Sequence, residues 1–415
     1  MIGPRPVKRS YHFRRLSKYS WVMERVSDLE KAYVLEVLAS EFRGTKATGM
    51  VSRAEVAFSN KFDMKFSMGF VNGTGTLHTA LEALGIGPGD EVIVPPLTMS
   101  ATAFSVLQAN ATPVFADVDP LTFQIDSESI ADRLTERTKA VMTVALYGGS
   151  PDYDSILRVI GDLPLIEDNA EAFGTKYHGR EIGSMGIFSS YSFQSSKHLS
   201  AGEGGMLCTN SQTYADAARK FQSLGYRAVG ATTHKIDKKD IQDPGYLRHE
   251  VLGWNYRMSD LTAAVVLGQI ERSDELIAIR KKIGQQLFSQ IQDVTWLRPQ
   301  AIHENSEHSF WAAPVILDRD DITWQQFRDK FMEFGGKGIY AAWQLSYLEP
   351  VFQNLNFHGR EKFIHSKISS RYVRGYCPNA EHIQPRILAF RTNEWNEESA
   401  SVQLEALRRT VQFFS

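Results

Sequence analysis

Cysteine is scarce in this sequence, since 415 residues include only Cys208 and Cys377. Two cysteines so far apart favour a reducing compartment over a disulfide framework, and we therefore expect a cytoplasmic protein. Long apolar runs are missing too, so the sequence predicts no transmembrane helix. The net charge of −2 is small, and it gives no overall signature of nucleic-acid or membrane binding. We also predict no metal site.

The first eighteen residues lack acidic side chains but carry six basic ones. No apolar core follows them, so this segment is not typical of a secretory signal. We expect residues 1–30 to form a solvated N-terminal arm. The six basic residues are Arg5, Lys8, Arg9, Arg14, Arg15 and Lys18.

The remaining length predicts two domains, because 415 residues exceed one ordinary core and 43% of them are hydrophobic. Seven short segments are apolar throughout, which predicts strands buried on both faces, with helical patterns between them. We predict an α/β fold with a large, mostly parallel seven-stranded sheet domain over residues 31–272 and a smaller C-terminal α/β domain over residues 273–415. One long helix from residue 259 to about 291 should bridge them. The seven segments are residues 66–71, 91–95, 113–117, 140–146, 164–167, 188–193 and 205–208.

Residues 191–205 place a single lysine, Lys197, between an apolar strand and a glycine-rich turn. A lysine held beside a packed sheet loses hydration, which favours its neutral amine and lets it attack a carbonyl to form a Schiff base. That is the chemistry by which enzymes hold pyridoxal phosphate (PLP). A solvated surface lysine is the commoner state of any one such residue, so the hypothesis needs further support.

PLP also needs an anion cradle for its phosphate and a carboxylate beside its ring nitrogen. Residues 72–76 form a glycine-rich turn between a predicted strand and a predicted helix, which would point free N–H groups and a positive dipole end at one place. Asp168 follows the strand predicted over residues 164–167, at the end where open α/β sheets bind ligands. A plain tight turn and a helix-capping aspartate are the alternative interpretations.

Six motifs occur in a fixed order along the chain: Gly73-Thr74 and residues 88–96, 113–119, 167–172, 192–205 and 255–258. With these motifs the chain resembles the DegT/StrS-type sugar aminotransferases, which are fold-type I PLP enzymes. The resemblance runs from about residue 30 to the C-terminus and is densest between residues 71 and 269.

The resemblance implies two catalytic residues. Lys197 matches the lysine that carries PLP as a Schiff base and then moves protons. Asp168 matches the acid that pairs with the ring nitrogen of the cofactor. Glu171 falls where relatives often carry Gln, His or Glu near the phenolic oxygen of PLP.

The same resemblance implies a phosphate site built by two subunits. Thr74, with the backbone of Gly73 and Gly75, matches the phosphate cradle, to which Ser192 adds a hydroxyl. Asn255 matches an asparagine that reaches the phosphate of the neighbouring subunit. We therefore expect a homodimer with shared active sites.

Three positions depart from the pattern of the family. Met99 stands where many relatives stack an aromatic ring on PLP, and a thioether can take that place because sulfur–aromatic contacts are worth roughly 0.3–1.5 kcal/mol. Ala145 replaces a common histidine, for which we have no explanation. Gln194 stands in place of the His-Pro or Tyr-Pro pattern of many nucleotide-sugar enzymes. At this position the chain resembles the branch that acts on cyclitols and aminobenzoate precursors.

A charged loop over residues 226–250 is long for a connection inside a compact domain, and long loops are often functional. Its basic side chains could meet a nucleotide diphosphate, although a solvated loop explains them equally well. They are Lys235, Lys238, Lys239, Arg248 and His249.

We predict from this resemblance that the chain moves an amino group from L-glutamate or L-glutamine to a keto sugar, which we expect to be nucleotide-linked. Three alternatives remain. One is a cyclitol ketone as acceptor, and another is a non-enzymatic PLP-binding regulator. The third is a PLP-dependent sugar dehydratase, whose histidine replaces the Schiff-base lysine. Lys197 argues against the dehydratase, although His198 lies beside it.

Overall fold

The computed structural model describes residues 23–43, 49–232 and 238–415. The six basic residues at positions 5 to 18 of the N-terminal arm, and Lys235, lie outside this part of the chain. Within it, no helix is long and apolar enough to cross a membrane. The strands are β1 Phe66–Phe70, β2 Glu91–Val94, β3 Thr112–Phe115, β4 Thr138–Val144, β5 Leu165–Asp168, β6 Lys176–Tyr177, β7 Arg180–Glu181, β8 Phe188–Ser192, β9 Gly205–Thr209, β10 Leu297–Pro299, β11 Ser306–Glu307, β12 Ala312–Leu317, β13 Ile339–Ala341 and β14 Ile387–Arg391.

Helices alternate with the strands of the main sheet and cover both of its faces. Several begin at a side chain that accepts a hydrogen bond from the first turn, such as Asn72 before α3 and Ser259 before α9. The helices are α1 Asp28–Ala39, α2 Met50–Lys61, α3 Gly73–Ala83, α4 Ala101–Gln108, α5 Ser127–Arg133, α6 Tyr153–Ile160, α7 Gln212–Gln222, α8 Lys238–Gln242, α9 Asp260–Glu271, α10 Ser273–Gln290, α11 Trp324–Glu333, α12 Pro350–Gln353, α13 Ser366–Ser369, α14 Pro378–Ile383 and α15 Glu397–Phe414.

The large sheet has seven strands in the order β1-β9-β8-β5-β4-β2-β3. The pairs β2/β3, β2/β4, β4/β5 and β5/β8 are parallel, whereas β9 runs antiparallel to both β8 and β1. All seven segments predicted from apolar runs are strands of this sheet. Their side chains are buried on both faces, as a parallel sheet covered by helices on each side requires.

The predicted single long helix is wrong. The chain forms α9 and α10 instead, and they meet at Arg272, whose backbone (φ −104°, ψ 10°) leaves the helical region. The guanidinium of Arg272 donates to the buried Glu30 carboxylate at 2.9 Å. Both helices have apolar sides, so the hydrophobic pattern continues across the break and hides it from the sequence.

A second sheet, with the order β10-β12-β14-β13, is antiparallel. One face packs on α10, α11 and α15 around Leu388 and Phe390, which belong to a separate hydrophobic cluster. Residues that alternate with these, Ala389 and Arg391, face a cavity between this sheet and the large one. The small sheet therefore forms one wall of the candidate site. A short third sheet joins β11, β6 and β7.

Candidate active site

A cavity of about 590 Å³ lies at the carboxyl end of β5, between the first turn of α3 and the small sheet. It brings Lys197, Asp168 and Glu171 together with the first turn of α3, which is distant from them in sequence. They meet because the sheet places β5 and β8 side by side. Ligands bind at this edge in open α/β sheets. Of the site residues predicted from sequence, those that line the cavity are Gly73, Thr74, Met99, Asp168, Glu171, Ser192 and Lys197.

Lys197 is the central amine of the cavity. Its residue is 9% exposed, and its Nζ atom donates to Glu171 Oε1 at 3.1 Å. The same nitrogen lies 4.7 Å from the centre of the Trp311 ring. A carboxylate and an aromatic face therefore hold the Nζ atom of Lys197 in place, while the cavity leaves room beside it for a carbonyl compound.

The peptide of Lys197 is held by two arginines. Arg280 on α10 donates to the carbonyl oxygen of Lys197 at 3.1 Å and to that of Ser196 at 2.8 Å. Arg25 also donates to the Lys197 carbonyl at 3.1 Å. Burial, with the nearby Arg25 guanidinium, lowers the pKa of Arg280 to about 9. These contacts fix the backbone from which the reactive amine projects.

Glu171 is oriented by an unusual backbone residue. Tyr147 has φ 61°, in the left-handed region that side chains rarely adopt, and its N–H donates to Glu171 Oε2 at 3.0 Å. This bond leaves Oε1 for Lys197. The ring of Tyr147 stacks against Trp311 and Trp343, with centroids 6.1 and 6.2 Å away, so the turn also builds an aromatic wall of the cavity.

Asp168 is a buried carboxylate without a bonded cation among the described residues. Its oxygens accept from the Thr102 hydroxyl at 3.0 Å and from the Ala170 N–H at 3.2 Å. Burial raises the pKa of Asp168 to about 6, against hydrogen bonds and Lys197 that act in the opposite direction. A protonated ring nitrogen would supply the missing cation, because an opposite charge favours the ionised carboxylate.

The first turn of α3 is built like an anion-binding site. The Asn72 side chain accepts from the Gly75 N–H at 2.8 Å, whereas the N–H groups of Gly73 and Thr74 have no acceptor inside the helix. A Cβ atom added at Gly73 would lie 3.1 Å from Cβ of Ser192. The turn is thus packed closely against the end of β8, with free N–H groups and the helix dipole available to a phosphate.

Three predicted residues differ from a buried residue of the cavity wall. Gly75 does not line the cavity, and its N–H is bonded to Asn72. Asn255 is exposed and lies outside the cavity lining, in an isolated bridge to Ser223. Met99 lines the cavity but is 51% exposed. His198, the residue that could have indicated a dehydratase, is buried with Nε2 on the Ser309 carbonyl at 3.0 Å, and it does not line the cavity.

The side chains present fit PLP. Three features that surround one cavity carry this fit: the uncompensated Asp168 carboxylate, the free N–H groups of α3 and the amine of Lys197. No group of three or more His, Cys, Asp or Glu side chains is arranged to hold a metal ion in the part of the chain that the structure describes.

Sequence reasoning missed Arg280, Tyr147 and Arg391. Arg280 does carry a signal, since it falls between Leu276 and Ile283 on the buried side of α10, where a charged residue is out of place. Tyr147 and Arg391 carry no comparable signal, because a left-handed turn and a side chain at a domain boundary depend on contacts distant in sequence.

Comparisons with known proteins agree with this geometry. The model of the DegT/DnrJ/EryC1/StrS aminotransferase family matches residues 25–391. The chain is 35% identical to a GDP-perosamine synthase of Escherichia coli O157:H7 over 313 residues, 73% of this chain and 80% of the relative. It is 39% identical to an L-glutamine:2-deoxy-scyllo-inosose aminotransferase of Streptoalloteichus tenebrarius over 237 residues, 55% of this chain and 53% of the relative.

A solved structure shares the whole fold. The aminotransferase from Psychrobacter cryohalolentis superposes with a TM-score of 0.81 at 27% identity, covering 95% of this chain and 99% of that chain. The family match, the fold and the cavity around Lys197 agree. The chain belongs to the DegT/DnrJ/EryC1/StrS aminotransferase family and is a PLP-dependent aminotransferase.

Proposed function

We propose that this aminotransferase moves an amino group from L-glutamate or L-glutamine to the ketone of a nucleotide-linked sugar. The observation that carries the proposal is the convergence of Lys197, Glu171 and Asp168 in one cavity beside the free N–H groups of α3. The similarity to a GDP-perosamine synthase supports a nucleotide sugar as acceptor.

Lys197 is proposed as the residue that holds PLP and moves the proton. Bound PLP supplies a carbonyl that condenses with amines and a ring that withdraws electrons from the carbon next to nitrogen. Once the donor has displaced it, the Lys197 amine is a base beside the substrate carbon and can return the proton later. Glu171, 3.1 Å from Nζ, holds this amine in position between the two transfers.

Asp168 and α3 are proposed to orient the cofactor from opposite ends. The Asp168 carboxylate is buried and would keep a ring nitrogen protonated through a charge-assisted hydrogen bond. The N–H groups of Gly73 and Thr74, with the hydroxyls of Thr74 and Ser192, would hold the phosphate. Met99 is proposed to lie against the ring.

A homodimer with shared sites is part of the proposal. Asn255 belongs to the stretch of residues 247–255, in which several apolar side chains face outward. Leu247 is 73% exposed and Leu252 is 86% exposed. Trp254 and Val251, in the same stretch, are 45% and 49% exposed. Exposed apolar residues in such density favour an interface between subunits, from which Asn255 would reach the phosphate of the neighbour.

The basic loop is the proposed contact for the diphosphate. Arg248, which lies in the same outward-facing stretch, is exposed, and so is the side chain of Lys239, which precedes that stretch in the chain. Lys235 lies outside the described residues, and the side chain of Lys238 is not described. Replacing Lys238, Lys239 and Arg248 by glutamine should raise KM for a nucleotide sugar without changing the donor reaction, and an unchanged KM would contradict the contact.

A cyclitol ketone is the second candidate acceptor. It is favoured by the similarity to the 2-deoxy-scyllo-inosose aminotransferase, together with Gln194, which lines the cavity. The relative's name also supports L-glutamine as donor.

Separate measurement of the two half-reactions tests the function. L-Glutamate or L-glutamine should convert the enzyme-bound cofactor to its amino form in stopped-flow spectra, and only the right ketone should reverse this change. Reversal by a nucleotide-linked keto sugar supports the proposal. Reversal by unphosphorylated cyclitol ketones alone would replace it with the second candidate.

Reduction with borohydride tests the role of Lys197. Peptide mapping should find the cofactor on Lys197, and a label on any other lysine would contradict the assignment. Lys197→Ala should still bind PLP through the α3 turn but turn over negligibly.

A further inference from the structure

A second groove adjoins the catalytic cavity and has no role in the mechanism above. It encloses about 420 Å³, within the range of roughly 300–1,000 Å³ that small-molecule sites occupy. Met99 and Trp343 line both the groove and the cavity, so one ligand can occupy both at once. The groove is therefore placed to receive a part of the substrate that extends beyond the reacting carbon.

The walls of the groove are mostly apolar and partly aromatic. Phe104, Trp343 and Val351 line it. The Phe104 ring stacks on buried Phe352, with ring centres 6.1 Å apart and planes 22° apart. The Trp343 ring stacks on Trp311 at 5.9 Å. Both rings are thus held in orientation by their neighbours, and flat rings of this kind are the surfaces on which proteins stack nucleobases.

Among the described residues that line the groove, Glu349 alone is charged. Its carboxylate makes no hydrogen bond or ion pair with any residue that the structure describes. Its backbone is held on both sides, since its N–H donates to the Ser346 carbonyl at 3.2 Å. Its carbonyl accepts from the N–H groups of Phe352 and Gln353 at 2.9 and 3.0 Å. The groove thus offers two unpaired acceptor oxygens on a well-anchored backbone.

The place of Glu349 excludes two of the three parts of a nucleotide sugar as its partner. The diphosphate is an anion, which a carboxylate repels. The keto sugar must lie beside Lys197, in the cavity, which Glu349 does not line. The Trp311 ring is 4.7 Å from Lys197 Nζ, and the groove adjoins the cavity at the next ring, Trp343. The nucleobase is the part that remains, because it lies at the far end of the molecule from the ketone.

Guanine is the base that a carboxylate in this groove selects. Its Watson–Crick edge carries two adjacent donors, N1–H and the 2-amino group, which match the two oxygens of a carboxylate. Adenine and cytosine offer one amino donor beside an acceptor nitrogen. Uracil and thymine offer one N–H between two carbonyl oxygens, which a carboxylate repels. Only guanine pairs with both oxygens of Glu349 at once.

We propose that this groove binds the guanine base of the acceptor and that Glu349 accepts hydrogen bonds from its N1–H and 2-amino groups. This inference rests on the proposed function, which names a nucleotide-linked keto sugar, and it specifies the nucleotide. Stacking on the apolar walls supplies affinity for any base, whereas Glu349 supplies the preference for guanine.

Nucleoside diphosphates without a sugar test the groove, with binding to the holoenzyme measured by isothermal titration calorimetry. The wild type should bind GDP about tenfold more tightly than inosine diphosphate, which lacks only the 2-amino group, because one charge-assisted hydrogen bond is lost. It should bind UDP at least about tenfold more weakly than GDP. These comparisons need no variant, so they decide the matter even if a substitution at Glu349 does not fold.

Glu349→Gln keeps the size of the side chain and removes its charge. Its affinity for GDP should fall about 30-fold and that for inosine diphosphate about threefold, so that the two ligands bind alike. Its affinity for UDP should change less than about threefold. Glu361→Gln is the matched control, because it removes an exposed carboxylate that lines neither the groove nor the cavity, and it should change none of these affinities.

Equal binding of GDP and inosine diphosphate by the wild type, or equal losses for GDP and UDP in Glu349→Gln, would overturn the assignment. So would a weaker dimer of Glu349→Gln in sedimentation with unchanged GDP affinity, which would give the carboxylate to a second copy of the chain. If UDP or dTDP binds best, the guanine site is wrong while a nucleotide-linked acceptor stands. If no nucleoside diphosphate binds, both the groove's role and the nucleotide-linked acceptor fail.

Discussion

At the scale of single residues, the site contains Asp168, a carboxyl group whose charged form is disfavoured by burial. Asp168 is buried, and burial raises its pKa from 3.8 to about 6. The folded state without cofactor therefore prefers the protonated acid. Its contribution to stability is present below the unfolded pKa and is lost as pH rises through about 6.

Asp168→Asn should remove this pH dependence of stability. Between pH 4 and pH 8, the free energy of unfolding of the cofactor-free wild type should fall by roughly 2 to 3 kcal/mol relative to the variant, which cannot ionise at this position. Urea unfolding of both proteins at the two pH values measures the difference. A constant difference across this range would contradict the buried-acid interpretation. With PLP present, we expect the variant to lose most of its aminotransferase activity.

At the scale of elements, α3 joins stability to binding through its first turn. Gly73 lies in the helix, where alanine has no backbone strain and a better helix propensity than glycine. A Cβ there would nevertheless lie 3.1 Å from Cβ of Ser192 on the neighbouring strand. The glycine is therefore explained by the close approach of β8.

Gly73→Ala should weaken PLP binding about tenfold, because overpacking of about 1–3 kcal/mol must be relieved by moving the turn away from β8. Equilibrium dialysis or cofactor absorbance measures the dissociation constant. Gly87→Ala is the matched control, since the nearest atom to its added Cβ, the Ala109 carbonyl oxygen, is 3.9 Å away. If both variants bind PLP like the wild type, the turn does not set cofactor affinity.

At the scale of the whole molecule, the cavity is lined by every predicted cofactor residue except Gly75, which lies in the first turn of α3, and Asn255. That residue is exposed, among outward-facing apolar side chains such as Leu252. A second copy of the chain is the proposed partner that would cover this surface and bring Asn255 to a phosphate site.

Mixed inactive variants test shared sites. When Lys197→Ala and Asn255→Ala subunits are mixed equally, about a quarter of the wild-type sites should be intact, because each hybrid dimer assembles one complete site. Refolding the two together and measuring turnover gives the recovery. Mixing Lys197→Ala with Asp168→Asn is the control and should recover nothing, since both residues line the same cavity within one chain. Equal recovery in both mixtures, or none in either, would refute a site shared through Asn255.

The sequence by itself determined the seven strands and singled out Lys197 and Asp168, which line the cavity, as candidate site residues. Apolar runs specify buried strands locally, and the lysine and aspartate stand at fixed places beside such runs. The tertiary structure decided the break at Arg272, the left-handed turn at Tyr147 and the place of Arg391 on an alanine-lined wall. Each of these depends on groups distant in the chain: the Glu30 carboxylate, Glu171 and the facing domain. Local pattern carries no record of such contacts, because burial and charge pairing arise only when the two sheets are packed against each other.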